Sequence, residues 1–155
     1  MAPGFGTPAR PPASPTLQSP AWGDAPDAAA PAPAPIPPSP ALPIPPSLRA
    51  SDLHRRLEAG EPLQLVDVRE DAELELAALT QPVIHLPLSR SAEWLERLDS
   101  LLDRERDLVV VCHAGVRSWQ FGSWLMETQG YERVWNLHGG IDAWSVEVDP
   151  AVPRY

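Results

Sequence analysis

Residues 107–125 read DLVVVCHAGVRSWQFGSWL. Val109, Val110 and Val111 follow one another with no polar alternation, which suits a strand buried on both faces at the centre of a parallel sheet. The run stops at Cys112, the chain's only cysteine, and a short loop with Gly115 and Arg117 leads into a helical pattern. In open α/β sheets ligands bind outside the carboxyl ends of the strands. Cys112 stands at such an end.

Outward from this stretch, helical and extended patterns alternate. SLRASDLHRRLEAG offers Ser51 or Asp52 as a helix cap, Leu53 and Leu57 at helical spacing, and Gly60 as a stop. PLQLVDVRE gives a strand from Leu63 to Val68, followed by the acidic residues Glu70, Asp71, Glu73 and Glu75, which read as a solvated face. AELELAAL is weakly helical, and PVIHLPL is a second strand bounded by Pro82 and Pro87. SAEWLERLDSLLD has the apolar stripe of an amphipathic helix in Trp94, Leu95, Leu98, Leu101 and Leu102. Beyond the Cys112 loop come a helix to about Gly130, a strand and glycine turn in ERVWNLHGG, and a closing helix in IDAWSVEV. This alternation implies an α/β domain with a largely parallel sheet.

The folded part covers residues 48–155. Sixteen of the 21 prolines fall within residues 1–46, with alanine and serine in most of the gaps. Such a segment has too few large apolar side chains to offset chain entropy, so residues 1–47 read as a disordered Pro/Ala-rich arm with local polyproline II. Its PxxP spacings follow from composition, and the arm is read as a spacer. The formal net charge is −9, and almost all the excess acidity lies in the domain. That argues against a general nucleic-acid binder or an anionic-membrane binder. No apolar run approaches the ~20 residues of a bilayer span, and the start has no basic region followed by an apolar core. A cytoplasmic location is therefore expected. One cysteine permits no internal disulfide, no Cys-x-x-Cys redox pair and no cysteine-rich zinc site.

A thiol attacks as the thiolate, and a free cysteine holds little of that form at neutral pH. A turn at Gly115 lets successive amide groups converge into an anion nest. The helix starting near Arg117 or Ser118 aims its positive end at the same point. Arg117 adds a charge that cannot be neutralised. Without these neighbours Cys112 would read as a small buried residue ending a strand.

CHAGVRS, residues 112–118, resembles the active-site loop of rhodanese-type sulfurtransferases, C-x-x-G-x-[RT]-[ST]. LVDVRE, VIHLPLS, VVVC and VWNLHGGIDAW follow the family order over about residues 49–148, and VDPAVPRY is similar to the ending of single-domain cyanobacterial members. The resemblance implies a three-layer α/β/α domain around a mainly parallel sheet of about five strands. It implies that Cys112 takes a sulfane sulfur from thiosulfate or a persulfide and passes it to cyanide or a thiol, a protein thiol included, by covalent ping-pong catalysis. The backbone amides of His113, Ala114, Gly115, Val116, Arg117 and Ser118 would hold the transferred sulfur, and Asp67 and Arg69 would either support the loop or form a plain buried ion pair with no direct catalytic part. No metal or organic cofactor is expected. The chain departs from the family at AALTQPV, where the family carries G-H-I-P-G-A, and its loop has a single cation. Both departures put thiosulfate in question as the donor.

His113 adjoins the cysteine, but neighbours on a tight loop rarely face each other, so it is read as shaping the approach rather than as a base. His85 and His138 are assigned structural roles, and His54 a solvent-facing one. Trp119 is a candidate for the pocket mouth; Trp94, Trp124, Trp135 and Trp144 are assigned to packing. Phosphatases and arsenate reductases of related fold resemble C-x5-R, whereas four residues separate Cys112 from Arg117, a ring better suited to one sulfur atom than to phosphate. The remaining alternative is a non-catalytic module or a redox sensor working through Cys112.

Overall fold

A computed structural model describes residues 43–155, together with residues 4, 6 and 9–12. The chain divides after Ser39, and the fold below is that of the second unit, Pro40–Tyr155. Most of the Pro/Ala-rich arm expected over residues 1–47 lies outside the described residues. Its last residues belong to the domain. Pro45 is buried, and the Pro46 carbonyl accepts a hydrogen bond from Asn136 N–H at 2.9 Å.

Five parallel strands form one sheet in the order β1–β5–β4–β2–β3. They are β1 (Ser47–Leu48), β2 (Gln64–Asp67), β3 (Ile84–His85), β4 (Leu108–Val111) and β5 (Val134–Leu137). The helices are α1 (Ala50–Glu58), α2 (Asp71–Leu76), α3 (Ser91–Trp94), α4 (Leu98–Leu101), α5 (Val116–Thr128) and α6 (Gly140–Glu147). The unbroken apolar run of β4 has the predicted cause, since successive side chains of a strand point to opposite faces. Leu108, Val110 and Cys112 join Trp94, Leu98, Phe121 and Leu125 in one core. Val109 and Val111 join Leu53 of α1 and Ile141 and Trp144 of α6 in the other. The result is the three-layer α/β/α architecture expected, with every strand parallel.

Two local expectations are corrected. Neither Ser51 nor Asp52 caps α1: the chain leaves β1 extended at Arg49 (φ −71°, ψ 150°) and the helix begins at Ala50. Asp52 lies in the first turn instead, where its charge suits the helix dipole and pairs with Arg55. Residues 91–103 do not form one continuous helix. The backbone departs from α geometry at Trp94 and Arg97, and a 3-10 turn, Leu95–Arg97, separates α3 from α4. Trp94, Leu98 and Leu102 stay buried, while Leu95, counted in the apolar stripe, is 44% exposed. Among the described residues, no helix is long and apolar enough to cross a membrane.

Candidate active site

β4 carries Cys112 to the carboxyl edge of the sheet, and Gly115 turns the chain into α5 at φ +98°. That conformation strains any residue with a Cβ, and a Cβ here would also lie 3.1 Å from the Gly139 nitrogen. The loop folds back on the sulfur: Gly115 N–H donates to Cys112 Sγ at 3.0 Å, and Ser118 Oγ lies 3.2 Å from it. Asn136 of β5 fixes this arrangement. Its Nδ2 donates to the Gly115 carbonyl (3.1 Å), which turns Oδ1 toward the Ser118 hydroxyl that donates to it (2.6 Å). A hydroxyl has one proton to give, so the Cys112 thiol is the donor to Ser118 Oγ here.

The loop is backed by the start of α6. Ile141 N–H donates to the Cys112 carbonyl at 2.9 Å, and Asp142 N–H to the His113 carbonyl at 3.1 Å. Gly140, at φ +60°, makes this approach possible, because a Cβ there would fall 2.4 Å from the Cys112 oxygen and 2.3 Å from the His113 oxygen. Two loop carbonyls are taken up by α6, and the thirteen-residue α5 presents its positive end to the loop. The residue itself is only 1% exposed, while Val116 at the loop's crest is 65% exposed.

Arg117 does not stand free. Its Nη1 and Nη2 donate to Glu73 Oε2 and Oε1 at 2.8 and 2.6 Å. Glu73 therefore corrects the expectation of a solvated acidic face: it lies in the first turn of α2, half-buried, and its Oε2 also accepts the Glu70 N–H in a capping box. The Arg117 hydrogen bonds hold its carboxyl down, from the ordinary 4.5 to about 2, against the opposing pull of burial. Glu73 in turn raises the Arg117 guanidinium above its usual range.

Asp67 and Arg69 form a buried ion pair, 1% and 0% exposed, at 2.8 Å. Arg69 directs its remaining donors to the carbonyls of Glu73 (3.3 Å) and Ala77 (2.8 Å) and to the Tyr155 hydroxyl (3.1 Å). These bonds anchor α2 and the segment after it, so the pair reaches the Cys112 loop through Glu73 rather than by touching it. Ala77–Val83, the stretch that departs from the family pattern, is held here too, with Ala77 and Leu79 buried against the α1–α6 core. His85 Nε2–H donates to the Arg69 carbonyl at 2.6 Å. His54 is not simply solvent-facing: it meets Trp144 edge-on, 6.0 Å between centroids, and lies 3.2 Å from Glu58. His138 is exposed. Trp119 is 41% exposed, one turn along α5 from Val116.

His113 stacks on the Tyr155 ring at 4.1 Å and 14°. Tyr155, Glu73 and Asn136 are absent from the sequence-based site. Asn136 left a signal, a polar side chain within the apolar segment VWNL. Glu73 left a weaker one, the E-x-x-E spacing of a cap from Glu70. Tyr155 left none.

Comparison with known proteins agrees with this geometry. The sequence profile described as "Rhodanese-like domain" matches residues 49–147. Rhodanese-like/PpiC domain-containing protein 12, chloroplastic, from Arabidopsis thaliana is 37% identical over 111 residues, 70% of this chain, which spans 36% of that relative's length. A protein of Allochromatium vinosum named "Sulfurtransferase" is 37% identical over 100 residues, 62% of this chain and 84% of its own. The crystal structure of the Alr3790 protein from Anabaena sp. superposes with a TM-score of 0.53 at 29% identity, covering 64% of this chain and 85% of that one.

Proposed function

The chain belongs to the family of rhodanese-like domains, and from that premise we propose that it is a sulfurtransferase whose Cys112 carries sulfane sulfur from a donor to a thiol acceptor. The relative from Allochromatium vinosum bears that name, at 37% identity. The observation that carries the reading is the loop folded on Sγ, with Gly115 N–H at 3.0 Å and the start of α5 behind it.

The Cys112 thiolate attacks the outer sulfur of the donor. A new S–S bond forms, the donor's S–S bond breaks, and the leaving group departs as a thiolate, or as sulfite when thiosulfate is the donor. The amides of His113, Ala114, Gly115, Val116, Arg117 and Ser118 hold the outer sulfur of the resulting persulfide anion. An acceptor thiolate, or cyanide, then attacks that sulfur and releases the Cys112 thiolate, which completes a ping-pong cycle. The next thiol must come from another molecule, because the chain has no second cysteine.

A persulfide serves as the better donor than thiosulfate. The loop's one cation is held by Glu73 in two hydrogen bonds, which leaves little positive charge for a sulfonate, and the Glu73 carboxylate repels it. The reaction is assigned to the cytoplasm. Intact-protein mass spectrometry tests the proposal after incubation with thiosulfate and with a low-molecular-weight persulfide. Wild type should gain one sulfur atom, faster from the persulfide, and Cys112→Ser should gain none. No adduct from any donor would sink the reading.

A further inference from the structure

Tyr155 lies far along the chain from the loop, yet it stacks on one end of it and is linked to the other through Glu73. Its ring stacks on His113, the residue after the nucleophile, at 4.1 Å between centroids. Its hydroxyl donates to Glu73 Oε1 at 3.0 Å, and the same oxygen accepts Arg117 Nη2 at 2.6 Å. The hydroxyl also accepts from Arg69 Nη1 at 3.1 Å, so one phenol joins the buried Asp67–Arg69 pair to the Glu73–Arg117 pair. Burial pushes the phenol up from its ordinary value, which keeps it protonated as this bridge requires.

The segment that brings Tyr155 there is firmly tied. Val152 is buried, its carbonyl accepts the Ser145 hydroxyl at 2.5 Å, and Arg154 grips Asp142 at 2.7 and 3.0 Å. Asp142 is also the residue whose N–H holds the His113 carbonyl. Here those ties set an aromatic ring against His113, the neighbour of a thiol that is only 1% exposed.

We propose that Tyr155 is a specificity-determining residue of this site: flat on His113 and latched to Glu73, it limits the girth of the molecule that can reach Cys112. The proposal rests on the sulfurtransferase reading for what passes the constriction, and it names slender donors and acceptors, such as a persulfide or thiol at the end of an extended chain. Steric exclusion of this kind changes the ratio of rates between a small and a bulky reagent. A purely structural role for Tyr155 would change stability and leave that ratio alone.

The test uses the full chain, in which every thiol signal comes from Cys112. Rates of alkylation at pH 7 are measured with iodoacetamide, a small reagent, and with a pyrenyl maleimide, a bulky one. Tyr155→Ala should raise the maleimide rate by roughly tenfold more than the iodoacetamide rate, the scale of a pocket-size effect. Tyr155→Phe keeps the ring and loses the latch, and should show a smaller selective rise. Equal changes with both reagents, or none, overturn the proposal. If thermal melting shows Tyr155→Ala to be unfolded, Tyr155→Phe decides on the same criterion. A wild-type protein that accepts alkyl groups but no sulfur from any donor would sink the sulfurtransferase reading and leave the gating result standing.

Discussion

Glu73 accepts four hydrogen bonds, from both Arg117 nitrogens, the Glu70 amide and the Tyr155 hydroxyl. Its pKa falls from 4.5 to about 2 in the folded protein, so its contribution to stability is complete above about pH 4.5 and disappears as pH falls through about 2. Arg117 is 35% exposed, and solvent screening holds that contribution to about 1–2 kcal/mol. Glu73→Gln should lose this amount at pH 7 in urea unfolding, and its gap to wild type should close as pH falls from 4.5 toward 2. Asn136→Ala leaves the Ser118 hydroxyl and the Gly115 carbonyl without their partner. Leaving such buried groups unpaired costs about 1–3 kcal/mol, so a lowered melting temperature and slower sulfur loading are expected. Cys112, Gly115 and Arg117 were legible because their spacing is local. Glu73 and Tyr155 were not, because they meet Arg117 and Arg69 only across 44 and 86 residues of chain.

Among the elements, β4 was the most legible, since a short unbroken apolar run matches a strand covered on both faces. The glycine turn before α6 could be read as a turn, but not as the support of the loop opposite it. That role makes Gly140 the least replaceable glycine described. Gly140→Ala would drive a Cβ to within 2.3 Å of the His113 oxygen at φ +60°, and should cost about 4 kcal/mol or more. Gly60 has a similar φ of +76° with open space around it, so Gly60→Ala should cost only about 1 kcal/mol. Urea denaturation of the two variants separates conformational strain from collision. Residues 91–103 show the opposite failing: the apolar spacing was right, yet periodicity is blind to the 3-10 turn that interrupts the helix.

At the scale of the molecule, the parallel α/β plan followed from alternating patterns, whereas the strand order did not, because β1 has only two residues and pairs at the edge with the last strand. The net charge of −9 surrounds the thiol with a field that slows anionic donors at low ionic strength. Raising salt shortens the reach of that field to about 8 Å at 0.15 M. Loading from thiosulfate should therefore accelerate with salt, while loading from an uncharged organic trisulfide should not. Persulfide formation followed by intact mass against salt concentration checks this, and identical salt slopes would count against it. The backing of the loop by Ile141 and Asp142 bears also on how the protein is made. Chains emerge from the ribosome N-terminal part first, so Cys112 appears before the residues that hold its carbonyl. The nascent polypeptide thus carries Cys112 unassembled, and the loop around it closes only once the turn at Gly139 and Gly140 has followed it out.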